Sequence, residues 1–302
     1  MKIIAFDVGG TFIKWALLDD FRILEKGKVP TPKTCFEDYL KALQGVVGKY
    51  EDIKGLAFSL PGTIDKKTGL IIQGGALEYN HGREYKKETE AYFHLPVTLE
   101  NDSKCAAVCE QEMGALKGVE NGAVIVLGTG LGCTFILNGQ VYDGTYNRAG
   151  EISILLEGDF LREGFGALLA PKCSSVSMVD IAKKTLGDDT LDGVRFMELA
   201  AQGDEKANEV LDGCLKVLAK AIFNIQIIND LERIVIGGGI SDNELYMSRL
   251  KETLTGYYEA FPFPIPRAQI YKAQGGNDAN IMGAAITFFK NESQSDASAL
   301  MN

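Results

Sequence analysis

Residues 3–11 read IIAFDVGGT, and this stretch decides the fold of the chain. The apolar run predicts a buried β-strand, and the acid, two glycines and hydroxyl that follow predict a tight turn. Because glycine has no Cβ, the backbone N–H groups of Gly9, Gly10 and Thr11 can approach a phosphate closely. Asp7 can hold Mg²⁺ beside that phosphate, directly or through water. A plain hairpin turn explains the stretch about equally well when it is taken alone.

Two further glycine-rich turns follow strand-like apolar runs. Their glycines and hydroxyl are Gly128, Thr129, Gly130, Gly132, Gly237, Gly238 and Gly239. The first of these turns lacks the Gly-Lys-Ser/Thr of a Walker loop, and it lies between two predicted strands instead of opening a helix, so it is not a dinucleotide fingerprint either. Three such turns predict a nucleotide held between two α/β lobes. Lys14 is a cation that could reach the same phosphates, although a solvated strand lysine is an equally good interpretation.

Composition limits the classes of partner. The formal net charge of −10 offers no basic surface to nucleic acid or to anionic lipid. The longest apolar runs fall well short of the ~20 residues of a membrane span, and the chain reaches Asp7 too early for the core of a signal peptide. We therefore expect a cytoplasmic protein with no nucleic-acid or membrane partner. Cys105 and Cys109 stand at helical spacing, and buried free thiols explain them better than a metal site does.

The order of predicted elements indicates two α/β lobes. Strands at 2–8, 12–18 and about 22–29 fit a meander better than a βαβ unit. We expect an N-terminal lobe over residues 1–117, joined by a C-terminal helix over 280–302, and a C-terminal lobe over 118–279. Residues 61–83 are expected to be irregular and to line a pocket, and the polar tail from residue 291 is expected to fray.

Asn101 and Asp102 lie where a predicted strand passes into a helix. Helix capping alone explains one of them. Two together leave one carboxylate to face a cleft, where it can take the proton of a substrate hydroxyl as that oxygen attacks phosphorus. We assign this role to Asp102 and the orientation of the acceptor to Asn101. Further candidates for substrate binding are Gly75, Asn80 and Glu151, although surface charge explains a lone glutamate.

Taken together, these motifs resemble the ROK family of sugar kinases, within the actin-like ATPase superfamily. The matching segments are Asp7–Lys14, Ser59–Gly62, Glu100–Ala107, Leu127–Gly132, Gly237–Gly239, Asn277–Asn280 and Gly283–Ala285. The resemblance implies a two-lobed ribonuclease H-like fold with ATP and Mg²⁺ between the lobes. It also implies transfer of the γ-phosphoryl group to a sugar hydroxyl, usually on C6, with Asp102 as catalytic base. The family often forms homodimers, so the resemblance implies a homodimer here.

The chain departs from the family pattern after Gly150-Glu151. Many members continue with Ile-Gly-His and a cysteine-rich zinc loop, whereas this chain has no histidine there and only Cys173 between residues 155 and 175. We therefore expect no zinc site. A sugar-binding glutamate of the family falls on Ala170 here. The loss of two polar anchors near C1 favours a sugar substituted at C1, such as a β-glucoside or cellobiose.

Three alternatives stay open at this point. Two are other sugar kinases, a glucokinase and an N-acetylmannosamine kinase. The third is a non-catalytic, sugar-sensing regulator, since the family includes repressors. Those carry an N-terminal helix-turn-helix, whereas the phosphate motif here begins at residue 7 and the net charge is −10, and both facts count against DNA binding.

Overall fold

The computed structural model of the protein describes the backbone of residues 1–299 and the side chains of residues 1–293. Contacts between Cα atoms divide the chain into two compact units. The first contains Met1–Gly114, Asp143–Ala149 and the segment from Gly275 onward, and the second contains Ala115–Tyr142 and Gly150–Gln274. The short segment 143–149, which the sequence pattern placed within the C-terminal lobe, groups with the first unit because Asp143 forms ion pairs with Lys66 and Lys104 there.

The first unit is built on a five-stranded sheet with the order β3-β2-β1-β4-β7. The strands of this unit are β1 (Lys2–Val8), β2 (Phe12–Asp19), β3 (Arg22–Pro30), β4 (Leu56–Leu60), β5 (Thr63–Asp65), β6 (Leu70–Gln73) and β7 (Val97–Asn101). The pairs β1–β2 and β2–β3 are antiparallel, as the predicted meander requires. The pairs β1–β4 and β4–β7 are parallel, so their carboxyl ends lie at one edge of the sheet.

Strands β5 and β6 correct one expectation from the sequence. They form a separate antiparallel hairpin inside the stretch that was expected to be irregular. Its turn is closed by Asp65, whose carboxylate accepts hydrogen bonds from the backbone N–H of Lys67 and from the hydroxyl of Thr68. Gly69 has a φ of +73°, which a glycine adopts without strain. This side-chain turn chemistry carries no apolar periodicity, and so the pattern missed it.

Helices cover both faces of the first sheet. Those that precede the second unit are α1 (Phe36–Val47), α2 (Tyr85–Phe93) and α3 (Asp102–Met113). Buried side chains of α1, together with Tyr85 of α2, pack against apolar residues of the sheet such as Phe6 and Phe58. Cys105 and Cys109 of α3 belong to a second apolar cluster, with Ile3 and Ala5. Alternation along β1 therefore supplies both cores.

The second unit repeats this arrangement of strands. Its strands are β8 (Gly122–Leu127), β9 (Leu131–Leu137), β10 (Gln140–Val141), β11 (Arg233–Gly237) and β12 (Gln269–Lys272). Their order is β10-β9-β8-β11-β12, again with three antiparallel strands followed by two parallel ones. The helices of this unit are α4 (Phe160–Glu163), α5 (Ala170–Cys173), α6 (Ser175–Leu186), α7 (Gly193–Ala201), α8 (Glu205–Asn229) and α9 (Glu244–Glu259).

The last helix, α10 (Ala279–Ala299), returns to the first unit and packs on α3. The two backbones approach so closely that a Cβ on Gly283 would lie 1.9 Å from the carbonyl oxygen of Cys105. The backbone of residues 291–299, which were expected to fray, continues this helix. Residues 300–302 of the expected helix lie outside the described residues. No helix within residues 1–299 combines the length and hydropathy needed to cross a membrane.

Candidate active site

The turn between β1 and β2 is held from outside by the residues that follow β3. Gly9 N–H donates to the carbonyl of Phe12 at 3.0 Å and closes the turn. The hydroxyl of Thr31 donates to Gly9 O at 2.7 Å, and the ammonium of Lys33 donates to Gly10 O. Sequence reasoning missed Thr31 and Lys33, because only the antiparallel pairing of β2 with β3 brings them to the turn.

Asp7 lies at the end of β1 and is held by side chains from three other elements. Its Oδ1 accepts hydrogen bonds from Ser59 Oγ at 3.1 Å and from Asn280 Nδ2 at 3.0 Å. Its Oδ2 lies 3.5 Å from Lys14 Nζ, across the β1–β2 pair. The carboxylate is 13% exposed. Lys14 is therefore an ion-pair partner of Asp7, not an isolated solvated lysine.

The surroundings of Asp7 fit Mg²⁺ bound together with phosphate. Mg²⁺ commonly uses one or two carboxylates and completes its shell with water and substrate phosphates. Asp7 supplies one partly exposed carboxylate next to a glycine turn. Within the described part of the chain, no group of three His, Cys, Asp or Glu side chains is placed to hold a metal ion, so any Mg²⁺ here would depend on ligands from the substrate.

Three parallel strands bring the other candidate residues of the first unit to the same edge. In the register of the sheet, Asp7 pairs with Ser59 and Ser59 with Glu100, while Leu60 pairs with Asn101. The turns that follow the three strands are therefore neighbours.

Asn101 caps α3 from the end of β7. Its Oδ1 accepts hydrogen bonds from the backbone N–H of Ser103 at 3.0 Å and of Lys104 at 3.3 Å, and from the hydroxyl of Ser103 at 2.7 Å. Its Nδ2 donates to Gly62 O at 2.9 Å. The amide oxygen thus serves the cap, and the amide nitrogen ties α3 to the turn after β4.

Asp102 is the first residue of α3 and is half-buried. Its Oδ1 accepts a hydrogen bond from the N–H of Ser103 at 2.8 Å. A carboxylate at a helix amino terminus is stabilised by the positive end of the helix dipole. The carboxylate of Asp102 therefore lies at the same edge of the sheet as Asp7.

A group of four charged side chains lies beside this helix start, and sequence reasoning did not find it. Lys66 Nζ lies 2.5 Å from Glu100 Oε2 and 3.1 Å from Asp143 Oδ1, and Lys104 also pairs with Asp143. Burial raises the pKa of Glu100, although Lys66 and Lys104 oppose the shift. Burial alone would raise the pKa of Asp143 as well, but the hydrogen bond from Lys104 and the charge of Lys66 bring it below its ordinary value.

The segment that carries Gly75 and Asn80 lies against the same turns. Gly75 has a φ of +57°, and a Cβ there would lie 2.8 Å from Cβ of Pro61. Asn80 is 1% exposed, and its Oδ1 accepts no hydrogen bond from any described residue. Buried amide oxygens are seldom left unpaired, so this one is a candidate acceptor for a donor on a ligand.

In the second unit, the two other glycine turns lie side by side. Gly128 N–H donates to Gly130 O at 3.0 Å between β8 and β9. The strands β8 and β11 are parallel, with Gly237 opposite Val126. Gly238 has a φ of +90°, and a Cβ there would lie 1.9 Å from the carbonyl oxygen of Leu127. Only glycine allows this approach.

A cavity of about 950 Å³ opens next to these turns. Its wall contains Gly239 and Ile240, the first residues of α6, and apolar side chains of α6 and α7 such as Val179 and Met197. The start of α6 is bound directly to the glycine turn, since Ser175 Oγ donates to Leu127 O at 3.1 Å. The cavity therefore adjoins both turns.

Glu151 belongs to the second unit, whereas Asn80 and Asp102 belong to the first. The carboxylate of Glu151 accepts a hydrogen bond from the hydroxyl of Ser153, and the residue is exposed. Gly150 before it has a φ of +87°, and a Cβ there would lie 2.3 Å from the carbonyl oxygen of Cys133 in β9.

Comparison with known proteins places these features in context. A sequence profile of the ROK family matches residues 3–291. A beta-glucoside kinase from Klebsiella pneumoniae is 27% identical over 292 residues, which cover 95% of this chain and 96% of that protein. An N-acetyl-D-glucosamine kinase from Photobacterium profundum is 26% identical over 302 residues, with coverage of 94% and 98%. The crystal structure of a ROK family protein from Streptococcus pneumoniae TIGR4 in complex with sucrose superimposes with a TM-score of 0.88. It has 30% identity and covers 97% of this chain and 100% of that one.

Proposed function

This chain belongs to the ROK family, and we propose that it is an ATP-dependent kinase that phosphorylates a hydroxyl group of a sugar. Its fold is the two-lobed, ribonuclease H-like fold of the actin-like ATPases. The proposal rests on the residues that lie at one edge of the first sheet. There the glycine turn with Asp7 follows β1 and the carboxylate of Asp102 follows β7, on either side of the parallel strand β4. Phosphoryl transfer to an alcohol uses such a pair, a phosphate-binding turn and a carboxylate base.

In the proposed reaction, Asp102 accepts the proton of the sugar hydroxyl while that oxygen attacks the γ-phosphorus of ATP. The bond from the γ-phosphorus to the bridging oxygen breaks, and ADP leaves with its electron pair. Backbone N–H groups of Gly9–Thr11 and of the turn at 128–132 bind the phosphates and stabilise their charge. Asp7 would hold Mg²⁺, which supplies further neutralisation of that charge when bound.

We assign the adenosine part of ATP to the cavity beside Gly237–Gly239. A volume of about 950 Å³ lies within the range of small-molecule sites, and an apolar wall with a few polar groups suits a nucleoside. The turn provides close backbone approach, because Gly238 carries no Cβ and lies against Leu127 O.

We assign the sugar to Gly75, Asn80, Asn101, Asp102 and Glu151, with C6 as the position phosphorylated. The unpaired Oδ1 of Asn80 supports its role, since a sugar hydroxyl is a suitable donor for it. The absent histidine and the alanine at position 170 favour a substituent on C1. The beta-glucoside kinase from Klebsiella pneumoniae and the sucrose-bound structure agree with this preference. The N-acetyl-D-glucosamine kinase leaves an N-acetylated amino sugar, unsubstituted at C1, as the alternative.

A coupled assay of ADP release over a panel of sugars tests the proposal. We expect cellobiose and phenyl β-glucoside to give higher kcat/KM than glucose, N-acetylmannosamine or N-acetylglucosamine, and NMR of the product to show a 6-phosphate. A free hexose would leave polar groups unpaired at about 1–3 kcal/mol each. A strong preference for a monosaccharide would reject the C1-substituted substrate but keep the kinase. If the protein binds a sugar but forms no ADP from ATP with any sugar of the panel, the result would favour the non-catalytic regulator.

Two further points stay predictions from the sequence. The resemblance to ROK kinases predicts a homodimer, which analytical ultracentrifugation tests directly. A cytoplasmic location would supply the ATP that the reaction consumes, and cell fractionation tests it.

A further inference from the structure

The four charged side chains beside α3 are paired with one another in a network of ion pairs. Glu100 is 2% exposed and the Lys104 side chain 6%, while those of Lys66 and Asp143 are about one-third exposed. Two cations face two anions, so the group carries no net charge. Removing charges from water is unfavourable unless each is paired, and an apolar core of equal volume would often be as stable. Stability alone is therefore a weak explanation for this group.

Members of this group form hydrogen bonds and ion pairs on both sides of Asp102, the proposed base. On one side, Glu100 Oε1 accepts a hydrogen bond from the backbone N–H of Asn101 at 2.9 Å. On the other side, Lys104 N–H donates to Asn101 Oδ1 at 3.3 Å, and its side chain pairs with Asp143. Asp102 lies between these anchored positions, so the direction of its Cα–Cβ bond depends on them.

The anion that Lys104 meets comes from the segment 143–149, which the chain forms after leaving the second unit and before rejoining it at Gly150. Asp143 pairs with both lysines, and Lys104 Nζ also lies 3.5 Å from the carbonyl of Asn147. The N–H of Ala149 donates to Asp143 O at 3.1 Å and closes the segment into a loop. Glu151 follows this loop by two residues.

We propose that Lys104 and Asp143 are positioning residues for phosphoryl transfer, acting with Lys66 and Glu100 as one network. The network holds the start of α3 so that Asp102 faces the acceptor hydroxyl. It also fixes the loop 143–149, from which the chain continues to Glu151. This inference rests on the proposed function, because it takes Asp102 as the base.

Three variants test the network: Lys104→Met, Asp143→Asn and the double variant. We expect Lys104→Met to lower kcat about 10- to 100-fold, the range that small misplacement of a catalytic group produces, with the KM values for sugar and ATP changed less than about threefold. Lys104→Arg can still pair with Asp143 and should keep kcat within about fivefold of the wild type. The double variant should lose less activity than the product of the two single losses, because both remove one interaction.

A matched control is Lys290→Met, which removes a lysine of the same unit paired with Glu112 on the exposed surface. It should leave kcat within about twofold of the wild type. Melting curves show whether each variant is folded, and Lys104→Arg with Asp143→Asn keep the test decisive if Lys104→Met does not fold. Unchanged kcat in folded Lys104→Met or Asp143→Asn, a rise in KM alone, or multiplicative losses in the double variant would overturn the network.

Hydrogen exchange separates this inference from the proposed function. Backbone amides of residues 143–149 should exchange at least tenfold faster in Asp143→Asn than in the wild type, and unchanged exchange overturns the inference whatever the activity. A wild-type chain that releases no ADP with any sugar rejects the proposed function, and the positioning role with it. Active wild type with unaltered variants rejects the positioning role alone.

Discussion

Replacing Asp102 by asparagine should remove most of the chemistry and little of the fold. Asn keeps an oxygen that can accept the hydrogen bond from the N–H of Ser103, which is 2.8 Å long in the native protein. It cannot take up a proton from a sugar hydroxyl, however, and it carries no charge. The variant therefore separates the proposed base from the structural role of the helix start.

The magnitudes of the two effects differ clearly. A positioned general base contributes about 10²- to 10⁴-fold to a rate, or about 2.7–5.4 kcal/mol at 1.36 kcal/mol for each factor of ten. The lost interaction between the carboxylate and the helix dipole is worth about 0.3–1 kcal/mol, which lowers the Tm by no more than about 4 °C in a protein of this size. We expect kcat to fall at least a hundredfold, with nearly unchanged ATP affinity.

The assay combines initial rates of ADP release, calorimetric titration with ATP, and a melting curve. Asp38→Asn is the matched control, because Asp38 lies in the first turn of α1 and pairs with Thr34 and Lys41 at the surface. It should show a similarly small loss of Tm and normal kcat. A kcat for Asp102→Asn within tenfold of the wild type would refute the assignment of the base.

Three further outcomes are expected. Gly238→Ala should lower the Tm markedly, because a φ of +90° and the 1.9 Å approach to Leu127 O leave no room for a Cβ. Gly130→Ala is the matched control for stability, because a Cβ there would meet no described atom within 4 Å. It should keep the Tm of the wild type and raise the KM for ATP. Asn80→Ala should raise the sugar KM about tenfold, the equivalent of one hydrogen bond, and titration calorimetry should show the same loss of sugar affinity. The pKa of Asp143 is lower in the folded protein than in the unfolded chain. Its ion pairs therefore stabilise the protein fully above the unfolded pKa, and this stabilisation is lost as the pH falls through the folded pKa. The Tm should fall less steeply from pH 5 to pH 2 in Asp143→Asn than in the wild type, and an identical slope would contradict this.

The local pattern was sufficient for the parts of the fold that rest on short-range chemistry. The turn at Asp7–Thr11, the meander around it and the start of α3 at Asp102 follow from apolar runs, glycine and a capping asparagine. The confirmed ROK family membership followed from the order of those motifs. The hairpin of β5 and β6 did not follow, because side-chain turns carry no periodic signal.

The contacts that complete the candidate site join residues far apart in the chain. Asn280 reaches Asp7 across 273 positions, and Lys66 reaches Asp143 across 77. No local pattern encodes such pairs, because they exist only after α10 and the loop 143–149 have packed against the rest of the first unit. The sequence by itself determined the glycine turns and the carboxylate at the helix start, since backbone conformation and capping are local. Only the tertiary structure decided which charges surround that carboxylate, because long-range packing chooses the partners of buried ions.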